Sequence, residues 1–190
     1  MHNQDLRQLE KKAFTSYFQD GLIDLFVGFS FILYGVLMLL DSHAFIGLAF
    51  LPIILIWPMK KQFTVPRMGL VRFSQKRYVK ISKTALVSLI FGMAVFVLAL
   101  FLSTHQSLAD YRLFLLGFCI SFLPLIGALL TGIFRYLFYA PLLSLTFILE
   151  RYLPGSYPWN FLVLGTLMML IGIVLFYRFL RQYPMPEGEA

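Results

Sequence analysis

The residues of this chain that could do chemistry are a few ionisable side chains within or beside long apolar stretches. Asp24 lies one helical turn beyond Asp20 and is the only charged residue in the apolar stretch 21–40. An ionisable group at the centre of a membrane costs roughly 2.5 to 3.5 kcal/mol on insertion scales, so it needs a partner or a purpose. Arg135 and Arg178 border apolar stretches on the same predicted side as Asp24. Two interpretations are open: Asp24 pairs with one of these arginines as an inter-helix clamp, or it handles protons or cations.

Four further residues are candidate metal ligands in the connections between apolar stretches. Asp41 and His43 share one connection, and His105 and Asp110 share another. Zinc accepts imidazole and carboxylate ligands, but no tight ligand spacing is present, and polar residues are expected in turns. We therefore expect no metal and no other cofactor.

Catalytic motifs are missing from the sequence. It contains no His-Glu-x-x-His, no glycine loop that would cradle a phosphate and no Gly-x-Ser-x-Gly. Gly155 and Ser156 follow Pro154 in a turn signal rather than in a nucleophile elbow. We therefore do not expect an enzyme.

Positive charge is concentrated between residues 59 and 83, where eight basic residues occur without any acidic one. They are Lys60, Lys61, Arg67, Arg72, Lys76, Arg77, Lys80 and Lys83. Basic residues in short loops beside transmembrane helices stay on the cytoplasmic side, so this segment sets the predicted orientation. It is also a candidate for binding anionic phospholipids, because each basic residue near an anionic leaflet contributes about 1 kcal/mol.

The composition is that of a membrane protein: 59% of the residues are hydrophobic and 13% are charged, against roughly 45 to 50% and 25% in soluble domains. The net charge of +7 therefore points to an anionic membrane surface and not to nucleic acid. The single cysteine, Cys119, lies in an apolar stretch and cannot form an intrachain disulfide.

The apolar stretches are predicted to be helices, because only helices and closed barrels satisfy their backbone hydrogen bonds in lipid and the alternation of a strand is absent. The predicted fold is therefore all-α: a six-transmembrane-helix bundle in a single integral membrane domain. The six stretches are residues 21–40, 44–58, 84–102, 111–130, 133–149 and 160–180. Residues 1–20 lack the features of a signal peptide and show the spacing of an amphipathic interfacial helix. The predicted segments are therefore an interfacial helix (1–20), the first two spans (21–58), a basic cytoplasmic loop (59–83), the last four spans (84–180) and a cytoplasmic tail (181–190).

The distribution of Lys and Arg agrees with six spans. Of the 16 basic residues, fourteen fall on the predicted cytoplasmic side and only Arg112 and Arg151 fall outside. Both termini are therefore expected in the cytoplasm, with the protein in a bacterial inner membrane.

Small residues and prolines recur within the stretches. Gly28 and Gly35 are seven apart, as are Gly165 and Gly172, which predicts packing stripes and is also compatible with an internal inverted repeat. Prolines at 52, 124 and 141 each remove a backbone donor and are expected to kink the second, fourth and fifth spans.

The basic loop has two open interpretations. Residues 70–73 and 78–81 are β-prone and separated by four residues, which favours a short β-hairpin. Alternatively, the third span extends backwards as a helix from about Lys76, with Lys80 and Lys83 snorkelling to the interface.

One part of the chain carries a family resemblance. Asp20-Gly21-Leu22 before a glycine-spaced span, followed by Val65-Pro66-Arg67-Met68-Gly69-Leu70-Val71, resembles small bacterial multi-pass membrane proteins of uncharacterised activity with a Pro-Arg-x-Gly-x-Val loop motif. Two tyrosines of that pattern are absent here. The resemblance implies a bacterial membrane protein and makes Arg67 and Gly69 the best candidates for a structured loop.

These observations favour a multi-pass membrane scaffold or accessory protein that docks a partner or anionic lipid through its basic loop. The candidate binding residues are Arg67, Gly69, Arg72, Lys76, Arg77 and Lys80. The partners expected are the lipid bilayer with its anionic phospholipids and a membrane protein or a second copy of the chain. The alternative is a small transporter or channel in which Asp24 and the proline-kinked spans line the pathway.

Overall fold

Helices and the turns between them account for the residues that the computed structural model describes, which are 16–68, 86–87, 90–95, 97–98, 101–102, 104 and 112–184. Three of these helices are long and apolar enough to cross a membrane: Ser16–Leu39, Gly47–Met68 and Tyr157–Gln182. A shorter apolar helix covers Gly117–Leu129. The described part of the chain is therefore all-α and has three helices compatible with crossing a membrane, where the sequence predicted six spans.

Helix α1, Leu22–Leu39, has sharply defined ends. Gly21 precedes it with a φ of 79°, a left-handed conformation that glycine adopts without strain. At the other end the Asp41 N–H donates to the Met38 carbonyl and the Ser42 N–H to the Leu37 carbonyl. This pair of bonds is a Schellman motif with Asp41 in the left-handed position. Asp41 thus has a structural role in ending α1.

The second apolar segment is a helix of changing pitch. It starts as a 3-10 helix, His43–Phe50, and continues as α2, Leu51–Ile54, and α3, Ile56–Met59. A wider turn of π type, Lys60–Thr64, then leads into α4, Val65–Met68. Pro52 lies in the first turn of α2, where the helix changes from 3-10 to α pitch, a position that tolerates a missing N–H.

The helical segment therefore continues for at least ten residues beyond the limit of 58 predicted from the sequence. The sequence predicts a loop over residues 59–83, since Lys60 and Lys61 follow the end of the apolar stretch. Lys60 instead continues the helix and is buried, at 3% exposure, because it is paired inside the protein.

Three longer helices follow helical residues between 86 and 104. They are α5, Arg112–Thr131, α6, Arg135–Tyr152, and α7, Tyr157–Gln182. Gly132, with a φ of 70°, separates α5 from α6, and Gly155, with a φ of 85°, lies between α6 and α7. Pro124 and Pro141 lie inside α5 and α6.

The described residues form two compact units. The first contains residues 16–68 and 158–184, and the second contains the described residues from 86 to 157. The core of the first unit includes Leu22, Phe26, Leu164 and Met168, all buried.

The first unit is built on a close antiparallel contact between α1 and α7. Gly21, Gly28 and Gly35 lie against Gly172, Gly165 and Pro158, in that order. Residue numbers rise along one helix as they fall along the other, so the helices are antiparallel. A Cβ atom on Gly28 would lie 2.5 Å from the Met169 nitrogen and 2.7 Å from the Gly165 oxygen. The two backbones can approach this closely only because both helices carry glycine every seventh residue.

The second unit contains an α5–α6 helical hairpin. Gly117 of α5 lies against the ring of Phe147, and Gly127 lies 3.6 Å from the Tyr136 ring, measured from an ideal Cβ position. The Glu150 carboxylate accepts hydrogen bonds from the N–H groups of Gly155 at 3.0 Å and Tyr157 at 2.6 Å. Glu150 thus satisfies backbone donors in the turn that begins α7.

Candidate functional site

The most distinctive polar site of the first unit is a buried ion pair between Asp20 and Lys60. The Lys60 Nζ lies 3.0 Å from Asp20 Oδ2, and the two side chains are 4% and 0% exposed. The Thr64 hydroxyl donates to Asp20 Oδ2 at 2.8 Å, and the Leu22 N–H donates to Oδ1 at 3.2 Å. Both carboxylate oxygens therefore have partners, as a buried charge requires.

The Lys60 ammonium has further partners from the N-terminal side of α1. It donates to the Tyr17 carbonyl at 2.7 Å. It also lies 4.2 Å from the centroid of the Tyr17 ring and 4.9 Å from that of Phe18, within the range of cation–π attraction. A carboxylate, a carbonyl and two aromatic faces thus surround this cation.

Local chain geometry explains how these groups meet. The Val65 N–H donates to the Lys60 carbonyl, the i to i+5 bond of the π-type turn. Lys60 and Thr64 are four apart and are the two buried residues of this turn, so both reach Asp20. Asp20 itself lies just before Gly21, where the chain bends into α1.

Arg67 extends this arrangement to the end of α7. Its Nη1 donates to the Tyr183 carbonyl at 3.0 Å and lies 3.5 Å from the Leu180 carbonyl. Carbonyls in the last turn of a helix lack intrahelical donors and carry partial negative charge, so a guanidinium satisfies them in both respects. The Tyr183 hydroxyl also hydrogen bonds to the Ser16 hydroxyl at 3.2 Å. Ser16, the 60–68 segment and the end of α7 therefore meet at one end of the first unit, which we call the basic end.

The predicted intramembrane charges occupy different positions. Asp24 is completely buried in α1, and its backbone contacts Gly172 of α7. Arg178 is exposed on α7, and Arg135 begins α6 in the second unit, 5.2 Å from the centroid of the Tyr136 ring. The pairing of Asp24 with either arginine stays a prediction.

Most of the predicted loop residues lie outside the described part of the chain. This applies to Gly69, Arg72, Lys76, Arg77 and Lys80, and with them to the proposed β-hairpin and its helical alternative. It applies equally to residues 1–15. Of the predicted binding residues, Arg67 is the one that the structure places.

The metal candidates are only partly described. Asp41 terminates α1, whereas His105 and Asp110 lie outside the described residues. Within the part of the chain that was described, no group of three or more His, Cys, Asp or Glu side chains is arranged to hold a metal ion.

Sequence reasoning missed the Asp20–Lys60 pair. The sequence pattern places Lys60 among the loop bases, and it marks Asp20 as a neighbour of Asp24 and as part of the family resemblance. The available signal was the position of Asp20 immediately before a glycine, with a lysine and a threonine four apart near the predicted end of the next span. That pattern gives no distance between them, so the pair required the fold.

Comparison with models of known families, with curated proteins and with solved structures finds no match. The resemblance carried by residues 65–71 therefore stays a prediction.

Proposed function

We propose that this protein is a non-enzymatic scaffold of a bacterial inner membrane that docks on anionic phospholipid headgroups through the basic residues that follow Arg67. In this proposal it crosses the membrane six times, with both termini and the basic loop in the cytoplasm. The hairpin of α5 and α6 and the helical residues between 86 and 104 would supply the spans beyond the three long apolar helices.

The observation that carries the proposal is the attachment of the 60–68 segment at both of its ends. Lys60 is held by Asp20, and Arg67 is held by the last turn of α7. The basic residues that come later in the sequence are therefore preceded by a fixed point, Arg67 at the end of α7. A charged loop with a fixed origin loses less conformational freedom on reaching a surface than a loop that is free at its start.

The charge of the following segment supports anionic lipid as the ligand. Five basic residues follow Met68 before the third apolar stretch: Arg72, Lys76, Arg77, Lys80 and Lys83. At about 1 kcal/mol for each basic residue near an anionic leaflet, they would bind such a surface firmly. This attraction weakens as ionic strength rises.

The proposal is tested by measuring lipid selectivity on the purified full chain. Native mass spectrometry in detergent would compare bound phosphatidylglycerol with bound phosphatidylcholine of the same acyl chains. The variant Arg72→Gln/Lys76→Gln/Arg77→Gln/Lys80→Gln should lose most of the preference for phosphatidylglycerol. The matched control Arg72→Lys/Arg77→Lys keeps the charge and should keep the preference.

An unchanged preference in the neutralised variant would overturn lipid docking by the loop. If a purified membrane protein partner then bound the wild-type chain and not the neutralised variant, the loop would instead be a protein-docking element.

A second candidate function, solute transport, is favoured by the complete burial of Asp24 in a candidate span. Buried carboxylates in membrane helices often mark proton or ion pathways. Asp24→Asn should abolish proton or cation uptake into liposomes that contain the protein. The size-exclusion elution profile and the helix content of the variant should stay unchanged. Loss of folding in this variant would indicate a structural role for the carboxylate.

A further inference from the structure

Two exposed cation–aromatic pairs of the same design lie in the helices that approach the basic end. The Lys61 Nζ lies 5.5 Å from the centroid of the Trp57 ring, and the Arg181 guanidinium lies 4.9 Å from that of Tyr177. In both pairs the aromatic residue comes four positions before the basic one. Both rings are well exposed, at 65% for Trp57 and 56% for Tyr177.

The direction of the two helices gives both pairs the same orientation. Phe63 packs against Phe176 with ring centroids 5.9 Å apart, and Arg67 contacts Tyr183. Residue numbers rise along both helices from the first contact to the second, so the two helices run parallel here. In each pair, therefore, the cation lies nearer the basic end and the ring lies farther from it along the helix.

This order matches the layering of a membrane surface, where aromatic rings occupy the boundary of the hydrocarbon and cations reach the phosphates. The register through Phe63 and Phe176 puts Lys61 roughly 10 Å deeper than Arg181 along the helix axes, at 1.5 Å per residue. Arg181 is thus the better placed of the two cations, and Arg178, also exposed on α7, lies one turn below it.

Charge at this end favours an anionic ligand. The acidic side chains described nearby, Asp20 and Asp24, are both completely buried, whereas Lys61, Arg178 and Arg181 are exposed. The surface offered outward by the described residues of this end is therefore cationic and aromatic.

We propose that the end of α7, formed by Tyr177, Arg178 and Arg181, is a folded binding surface for anionic phospholipid headgroups that acts independently of the basic loop. Lys61 on Trp57 is a deeper and weaker contributor. The inference deepens the proposed function and shares its ligand class, but it depends on different residues and is tested separately.

The test uses the full chain in detergent, titrated with phosphatidylglycerol or phosphatidylcholine and followed by native mass spectrometry. Arg178→Gln/Arg181→Gln should weaken phosphatidylglycerol binding about thirtyfold and leave phosphatidylcholine binding unchanged, as expected for the loss of two charges near a headgroup layer. Arg178→Lys/Arg181→Lys should restore most of the binding. Lys61→Gln should have a smaller effect than the α7 variant.

Arg151 provides the matched control. It is an exposed arginine at the end of α6 in the second unit, and it belongs to neither α7 nor the basic loop. Arg151→Gln removes one charge and should leave phosphatidylglycerol binding within twofold of wild type. A loss of about fivefold in this control, the same loss per charge as in the α7 variant, would mean that net charge alone governs binding, and the proposed surface would be rejected.

The loop and the α7 surface can fail separately. Loss of binding in the α7 variant, with the neutralised loop variant unaffected, supports this inference and rejects loop docking; the reverse result rejects the inference alone. The acidic tail residues Glu187 and Glu189 are the alternative ligand that the test must separate from a headgroup. If the α7 variant bound phosphatidylglycerol as wild type does, the surface would not be a headgroup site. If Glu187→Gln/Glu189→Gln raised phosphatidylglycerol binding about tenfold, the tail would be the resident ligand of these arginines and the inference would be rejected.

Discussion

Removing the ammonium from the buried Asp20–Lys60 pair should destabilise the protein strongly. Lys60→Met keeps a side chain of similar length but leaves the Asp20 carboxylate buried with the Thr64 hydroxyl and one backbone N–H as its described partners. Breaking a buried ion pair by removing one partner costs about 3 to 5 kcal/mol. For a chain of this size that corresponds to a fall of roughly 6 to 20 °C in Tm.

Asp20→Asn should be the milder change. Its amide oxygen can still accept the Leu22 N–H, and Lys60 keeps the Tyr17 carbonyl and two aromatic faces. Cation–π attraction at a desolvated site is worth about 2 kcal/mol, so we expect the loss of stability to be about 2 kcal/mol smaller than for Lys60→Met.

The double variant measures the coupling energy between Asp20 and Lys60 separately from the contribution of each side chain. Replacing both members of a buried ion pair is often close to neutral, so Asp20→Asn/Lys60→Met should be more stable than Lys60→Met alone. The assay is unfolding in mixed micelles by sodium dodecyl sulfate, followed by helical circular dichroism. Lys61→Met, at the exposed neighbour, is the control and should change the free energy of unfolding by less than about 0.5 kcal/mol.

Two results would refute this reasoning. One is a loss below about 1 kcal/mol in Lys60→Met, which is too small for a stranded buried carboxylate. The other is a double variant whose loss equals the sum of the single losses, because energetic coupling between contacting partners must make the losses non-additive.

Other packing and capping contacts give further predictions. Gly28→Ala should cost about 1 to 3 kcal/mol of unfolding free energy, since its Cβ would collide with the backbone of α7. The control Gly92→Ala, with open space around the glycine, should be neutral or slightly stabilising in the same denaturation assay. Equal losses in the two variants would contradict the glycine contact. Arg67→Gln should increase hydrogen exchange in the last turn of α7, while Arg178→Gln should not; unchanged exchange in the first variant would mean that Arg67 does not cap α7. Glu150→Gln should cost about 1 kcal/mol, with faster exchange at the N–H groups that start α7, and protection equal to wild type would argue against this cap.

The limits of most helices could be predicted from the sequence. Helices α1, α5, α6 and α7 agree with the apolar stretches to within about one turn, because long runs without charge have clear ends and glycines mark the connections. The second segment did not follow this rule. A lysine ends an apolar run in the sequence, but Lys60 is stabilised inside the fold by Asp20, a residue forty positions earlier.

The seven-residue glycine spacing was correctly identified in the sequence, but the sequence did not indicate which helices it brings together. It predicted packing stripes, and the structure shows that the stripes of α1 and α7 are each other's partners. The antiparallel contact therefore explains why both helices have the same glycine spacing. An internal repeat is not needed to explain it. Which stripe meets which cannot be read from spacing, since several helices carry small residues.

The candidate site was predicted less completely than the fold. Arg67 was singled out as part of a structured segment, and it does cap α7. Its neighbours in the basic segment, from Gly69 onward, stay predictions.

The proposed function places the basic segment and both chain ends on the side of the membrane that carries anionic lipid. Labelling of single cysteines in a Cys119→Ser background with a membrane-impermeant maleimide, in right-side-out and inverted vesicles, tests this placement. Asn3→Cys, Gln75→Cys and Glu187→Cys should react from the cytoplasmic face alone, and Ser42→Cys, beyond the far end of α1, from the opposite face. Reaction of Gln75→Cys on the same face as Ser42→Cys would contradict the account.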